Sequence, residues 1–263
     1  MSVFGLALAL VVGLVLGLLG GGGSILAVPT FLYVFHVEPK PAIAMSLVVV
    51  GMSALVGFLT HWRQGTVNLR IATLFGALAM VGAFAGARAA AYVPASVQLS
   101  LFTAFALTAA VMMLRDSLRT SRAGTSAATP QPDATRTSPS SLRFSAMLGV
   151  QAVAVGVLTA LIGAGGGFLI VPSLVLVANV PVKEAIGSSL LIIAMNATSG
   201  VAGYLGQVPF DWRLVAWFTG VAALGAVVGT RVMRRLPAAR IKQAFAIMIL
   251  VLGTYLVVRN LTH

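Results

Sequence analysis

Cysteine is absent from the 263 residues, histidine occurs only at His36, His61 and His263, and five acidic residues stand against seventeen Lys and Arg. The first absence excludes disulfides, thiolate metal sites and a cysteine nucleophile. Three scattered histidines offer no metal-ligand cluster, and neither a metal nor another cofactor is expected. Charge is scarce altogether: 8% of the residues are charged, where a soluble domain carries about 25%. With 59% hydrophobic residues and a mean hydropathy of +1.02, the composition excludes a soluble globular protein. A net charge of +12 would point to nucleic acid in a soluble chain. Here the basic residues stand between apolar runs and read as topology signals for an anionic leaflet, so membrane lipid rather than nucleic acid is the expected partner.

Long apolar runs are what the sequence has in abundance. They extend over about 3–35, 42–60, 70–92, 96–115, 144–178, 185–205, 213–233 and 240–258. A membrane-crossing helix needs about 20 such residues, which predicts an all-α, polytopic (multi-pass) integral membrane protein. Met1 to Leu19 lacks a basic leader region and a small-residue cleavage site, so it is read as part of the mature chain. Two runs are too long for one crossing: a helix over 3–35 or 144–178 would reach about 50 Å against a hydrocarbon core of about 30 Å. Each is interrupted by glycines, at Gly20–Gly23 and Gly163–Gly167, and then carries a proline, Pro29 or Pro172. Between Asp116 and Ser141 the composition turns to Ser, Thr, Pro, Arg and Ala, which reads as a disordered linker. The expected organisation is a first transmembrane repeat over 1–115, a cytoplasmic linker over 116–143 and a second repeat over 144–263.

The halves match without gaps at an offset of 143 residues, with 28 of 88 positions identical from 20 to 107. Gly20, Gly22, Gly23, Val28 and Pro29 fall on Gly163, Gly165, Gly166, Val171 and Pro172, and Lys40, Ser46, Gln64, Arg70 and Arg88 on Lys183, Ser189, Gln207, Arg213 and Arg231. Hydrophobicity alone does not explain matched Gly, Pro, Gln, Lys and Arg, so the chain is an internal duplication. If both long runs are hairpins that enter and return, 13 of the 17 Lys and Arg collect on one face, that of Arg63, Arg70, the linker, Lys183 and the basic cluster from Arg231. Eight single crossings leave no such bias. The positive-inside rule therefore favours the hairpin arrangement, which makes the repeats inverted, with the linker in the cytoplasm of an inner-membrane protein.

A glycine-rich break inside a membrane segment leaves backbone groups that lipid cannot satisfy, so it needs protein or a water-filled cavity around it. The helix restarting near Ser24 or Gly167 would aim its N-terminal N–H groups into that cavity, where an anion is the natural guest. Close helix packing is the alternative use of glycine, and Gly82 with Gly86 and Gly225 with Gly229 have the spacing for it. Polar residues inside the second segment of each half share faces, Ser46 with Ser53 and Ser189 with Asn196 and Ser199. Asn196 is the costliest of these to leave unpaired. The candidate ligand-binding set is then Gly20, Gly21, Gly22, Gly23 and Ser24 in the first run, Gly163, Gly165, Gly166 and Gly167 in the second, Ser46, Ser53, Ser189 and Asn196 within spans, and Gln64 and Gln207 at their ends. His61, beside Trp62 and Arg63, reads as interfacial. All five acids lie in loops or at segment ends, which weighs against a cation pathway and against a buried carboxylate relay.

The runs GGGGSILAVP (Gly20–Pro29) and GAGGGFLIVP (Gly163–Pro172), each followed by an A-I-x-x-S stretch at Ala42–Ser46 and Ala185–Ser189, resemble the TauE/SafE family of sulfite and organosulfonate exporters, also called the TSUP family. The resemblance covers nearly the whole chain. It implies a cytoplasmic-membrane permease for a small anion, often sulfur-containing or a small carboxylate. The first run carries Ser24 where the second has Gly167. An anion channel of the same architecture is the alternative. A membrane-embedded enzyme is not expected, because no nucleophile with its base and no acid pair falls inside the spans. Whether the chain forms a homo-oligomer is left open by the sequence.

Overall fold

The computed structural model describes residues 3–19, 25–105, 108, 142–163, 166–176 and 180–233, which form helices joined by short turns, with no strand among them. The helices are α1 (Val3–Leu19), α2 (Ala27–Pro29), α3 (Pro39–Trp62), α4 (Leu69–Ala89) and α5 (Ala95–Phe105) in the first half. The second half contributes α6 (Leu142–Ile162), α7 (Gly167–Leu176), α8 (Val182–Tyr204) and α9 (Trp212–Met233). Among them α3, α4, α8 and α9 are long and apolar enough to cross a membrane. The expected linker up to Ser141 and the apolar run at 240–258 lie outside the described residues, and α6 begins at Leu142.

Local chemistry sets the helix starts. Pro39 and Pro41 sit in the first turn of α3, where a missing N–H breaks no helical bond. Asn68 caps α4 by accepting the Ile71 N–H at 3.3 Å, and Asp211 caps α9 by accepting the Leu214 N–H at 3.0 Å. These two caps are 143 residues apart, so the duplication is visible in the geometry of single bonds.

Small residues fix the packing. A side chain at Gly82 or Gly86 of α4 would collide with the Val153 or Val157 carbonyl of α6, and one at Gly225 or Gly229 of α9 would collide with Leu10 or Leu14 of α1. Each contact is the other shifted by 143, and the four-residue spacing serves close approach as expected. Both partners advance by four together, so α4 runs parallel to α6 and α1 to α9. The central pair behaves differently: Leu47 packs on Gly200 while Leu190 packs on Gly57, so α3 and α8 are antiparallel. The short connections at 63–68 and 205–211 reverse the chain, so α4 runs antiparallel to α3 and α9 to α8, while α4 packs on α8 and α9 on α3. It follows that α1 points the same way as α3, and α6 the same way as α8. The chain therefore comes back between them, through α2 and the turn that follows it in one half and through α7 in the other.

The return paths are unequal. α7 is a ten-residue helix, whereas α2 is a single turn that widens into a π-helical stretch at Thr30–Val34, closed by Phe35 N–H to Thr30 O at 3.3 Å. The helices α3 and α8 form the core, 67% of each span being buried against 39% for α4 and α9. Exposed Trp62, Tyr92, Trp212 and Trp217 lie on or beside the ends of the long helices, where aromatic rings favour the membrane interface.

Candidate functional site

The site is built around the second glycine run. α6 ends at Ile162, and Gly163 (φ +74°) and Gly166 (φ +63°) adopt the left-handed backbone that glycine accepts without strain. α7 then starts at Gly167, so its first-turn N–H groups have no acceptor within the helix. The carbonyls freed at the end of α6 are met by neighbours. Tyr204 of α8 donates its hydroxyl to Ala160 O at 3.0 Å. Ser46 Oγ of α3 lies 2.7 Å from both Ile43 O and Gly163 O, its one proton shared between them. The repeat mate Ser189 makes the same bond within its own helix, to Ile186 O at 2.8 Å.

Among the buried polar side chains that carry atoms without a partner are Asn196, Ser53 and Thr159. Asn196 of α8 is fully buried, with neither Oδ1 nor Nδ2 hydrogen-bonded. Ser53 of α3, its mate at the 143-residue offset, is also fully buried with an unpaired Oγ. Both stand within two residues of the contact between Gly51 and Ala197, where α3 and α8 cross. Thr159, 2% exposed in the last turn of α6, has an unpaired Oγ1 that borders Gly166 so closely that any side chain there would strike it. Leaving such groups without partners costs about 1–3 kcal/mol each. Ser53 and Asn196 supply a hydroxyl and an amide, and Thr159 supplies a hydroxyl beside the N-terminus of α7, all neutral groups of the kind an anion takes. Among the described acids, Glu38 and Asp211 are the N-caps of α3 and α9 and Glu184 lies in the first turn of α8, so none is deep in a span.

The structure places the expected residues on different elements, and it joins Ser46 to Gly163. Ser46, Ser53, Asn196, Gly163, Gly166 and Gly167 belong to α3, α8 and the α6–α7 break. Gly20, Gly21, Gly22, Gly23, Ser24 and Gly165 lie outside the described residues. Gln64 and Gln207 are separated, because antiparallel α3 and α8 carry their C-terminal ends to opposite faces. Gln64 is exposed at one face, and Gln207 donates Nε2 to Gly203 O at the other. The Ser199 hydroxyl donates to Met80 O of α4 at 2.7 Å and so joins two helices. His61, in the last turn of α3, is buried at 3% exposure and bonded through Nδ1 to Thr66 Oγ1 at 3.0 Å, while Trp62 and Arg63 face outward, so its ring turns into the protein. Thr159 and Tyr204 were not singled out from the sequence. A hydroxyl four residues before a glycine break is the signal that would have flagged Thr159.

The family described as sulfite exporter TauE/SafE matches residues 5–256. A probable membrane transporter protein of Xylella fastidiosa (strain 9a5c) is 31% identical over 252 residues, covering 95% of this chain and 92% of its own. The probable membrane transporter protein YdhB of Bacillus subtilis (strain 168) is 26% identical, with 88% of this chain and 90% of its own covered. The archaeal MJ0441 of Methanocaldococcus jannaschii, also a probable membrane transporter protein, is 26% identical over 76% and 72%. No solved structure matches the chain. Glycine-broken helices in a duplicated helical bundle and a match over nearly its full length agree: the chain belongs to the TauE/SafE family and is a membrane transporter.

Proposed function

We propose that this transporter moves a small anion, namely sulfite, an organosulfonate or a related sulfur or carboxylate anion, by alternating access between two inverted repeats. The observation that carries the reading is the pair Ser53 and Asn196: equivalent in the duplication, fully buried, and without hydrogen-bond partners at the crossing of the two central helices. Three unpaired polar atoms on these two residues are groups that a bound guest would satisfy. The donors available there, together with the N-terminus of α7 and the absence of a described acid deep in any span, favour negative charge in that guest. The antiparallel course of α3 and α8, and helix contacts repeated at an offset of 143, support the inverted relation. On that topology the face of Arg63, Arg70 and Arg231 is cytoplasmic. Flux into proteoliposomes tests the proposal with sulfite, ethanesulfonate, acetate and alkali cations offered under imposed proton and sodium gradients. Saturable movement of an anion is expected, and uptake confined to cations would overturn the reading.

A further inference from the structure

A cleft of about 410 Å³ opens where the C-terminal ends of α3 and α9 meet at one face. Its described lining is Val56, Leu59, Thr60, Arg63 and Gln64 of α3 and the loop after it, with Thr230 and Arg231 of α9. Thr60 and Thr230 donate their hydroxyl protons to their own helices, at Val56 O (3.1 Å) and Ala226 O (2.8 Å). The donors left for a guest are the two guanidinium groups and the Gln64 amide, and no carboxylate is among the described lining residues. Two guanidinium groups line one cleft with no counter-charge among its described residues, and each carries the paired N–H donors that match an oxyanion. The wall of Val56 and Leu59 gives a short carbon chain an apolar surface.

The duplication supplies an internal control. The mates of Thr60, Gln64, Thr230 and Arg231 are Gly203, Gln207, Ala87 and Arg88 at the opposite face. There the helices are shut: a Cβ on Gly203 would lie 2.5 Å from Ala87 Cβ, Gln207 is bonded to Gly203 O, and Arg88 lies over the Phe84 ring at 5.4 Å. Among the described residues, the position with Arg63 and Arg231 is open and its equivalent is shut. On α3, Ser53, Val56, Thr60 and Arg63 recur at three, four and three residues, so one helical stripe leads from the cleft down to the buried pair.

We infer that the cleft between α3 and α9 is a capture subsite for an oxyanion with a short apolar tail, on the route to Ser53 and Asn196, with Arg63 and Arg231 as its specificity-determining residues. This rests on the anion-transport reading above. The same chemistry is offered by an acidic lipid headgroup, which the test separates. Ethanesulfonate flux is measured with the full chain in phosphatidylcholine vesicles, without and with phosphatidylglycerol, for the wild type, the Arg63→Gln/Arg231→Gln double variant, Arg70→Gln as a control for charge on the same face, and Asn196→Leu. The double variant is expected to raise the half-saturating concentration roughly tenfold or more while the maximal rate is kept, with Arg70→Gln unchanged and acetate less affected than ethanesulfonate. An unchanged half-saturating concentration in the double variant, with Asn196→Leu still impaired, overturns the subsite and leaves the transport reading standing. Competition by phosphatidylglycerol that disappears in the double variant assigns the cleft to lipid and also overturns it. If the wild type moves no anion at all, the transport reading fails and the subsite fails with it.

Discussion

The Ser46 hydroxyl of α3 lies 2.7 Å from the carbonyl oxygen of Gly163, tying a central helix of the first half to the break in the second. The bond satisfies a carbonyl that the broken helix leaves over and links the two halves directly. Ser46→Ala removes the donor and leaves a buried carbonyl unpaired, a loss of about 1–3 kcal/mol. Thermal unfolding in detergent is expected to show a lower Tm for the variant. An unchanged Tm would mean that Gly163 O finds another donor.

Asn196 carries the opposite sign. Its amide has no partner, so Asn196→Leu exchanges an unpaired polar group for an apolar one of similar size and is expected to hold or raise Tm while weakening anion binding. Such a split between stability and function marks a ligand site. A Tm several degrees lower with binding retained would show that the amide serves the fold.

Glycines at helix contacts should respond according to what faces them. Gly82→Ala and Gly225→Ala force a Cβ against the backbone of the opposing helix, at Val153 and Leu10, and should each cost about 1–3 kcal/mol. Gly220→Ala, with nothing within 4 Å, should leave stability unchanged or raise it by up to about 1 kcal/mol. Unfolding midpoints of the three variants check the contrast, and equal losses at all three positions would contradict the packing described.

The architecture was legible in the sequence to the extent that it depends on composition and repetition. The helix over Pro39–Trp62, the break at Gly163 and the packing of Gly82 with Gly86 follow from apolar length, glycine runs and four-residue spacing. What was not legible depends on which helix stands opposite. Tyr204 and Thr159 acquire meaning only because α6 ends beside α8 and beside its own continuation. Gln64 and Gln207 were grouped as a pair because they are repeat mates, yet mates at the ends of antiparallel helices fall on opposite faces. His61 lies beside exposed residues in the chain but turns inward to Thr66, a direction that neighbours in sequence do not reveal.

Because the chain has no cysteine of its own, single cysteines report topology directly. Cysteines at Gln64 and at Ser126 are expected to react with a membrane-impermeant maleimide only from the cytoplasmic side, and one at Pro209 only from outside. Labelling of Gln64 and Pro209 positions from the same side would contradict the inverted arrangement.

The central claim, that the buried crossing of α3 and α8 holds an anion, is met most directly by calorimetric titration of the purified transporter and its Ser53→Ala and Asn196→Leu variants with sulfite, ethanesulfonate, acetate and sodium. Saturable binding of at least one anion to the wild type, weakened roughly tenfold or more in Asn196→Leu and less in Ser53→Ala, is the predicted result. Anion binding of equal strength in all three proteins, or binding of sodium alone, would contradict it.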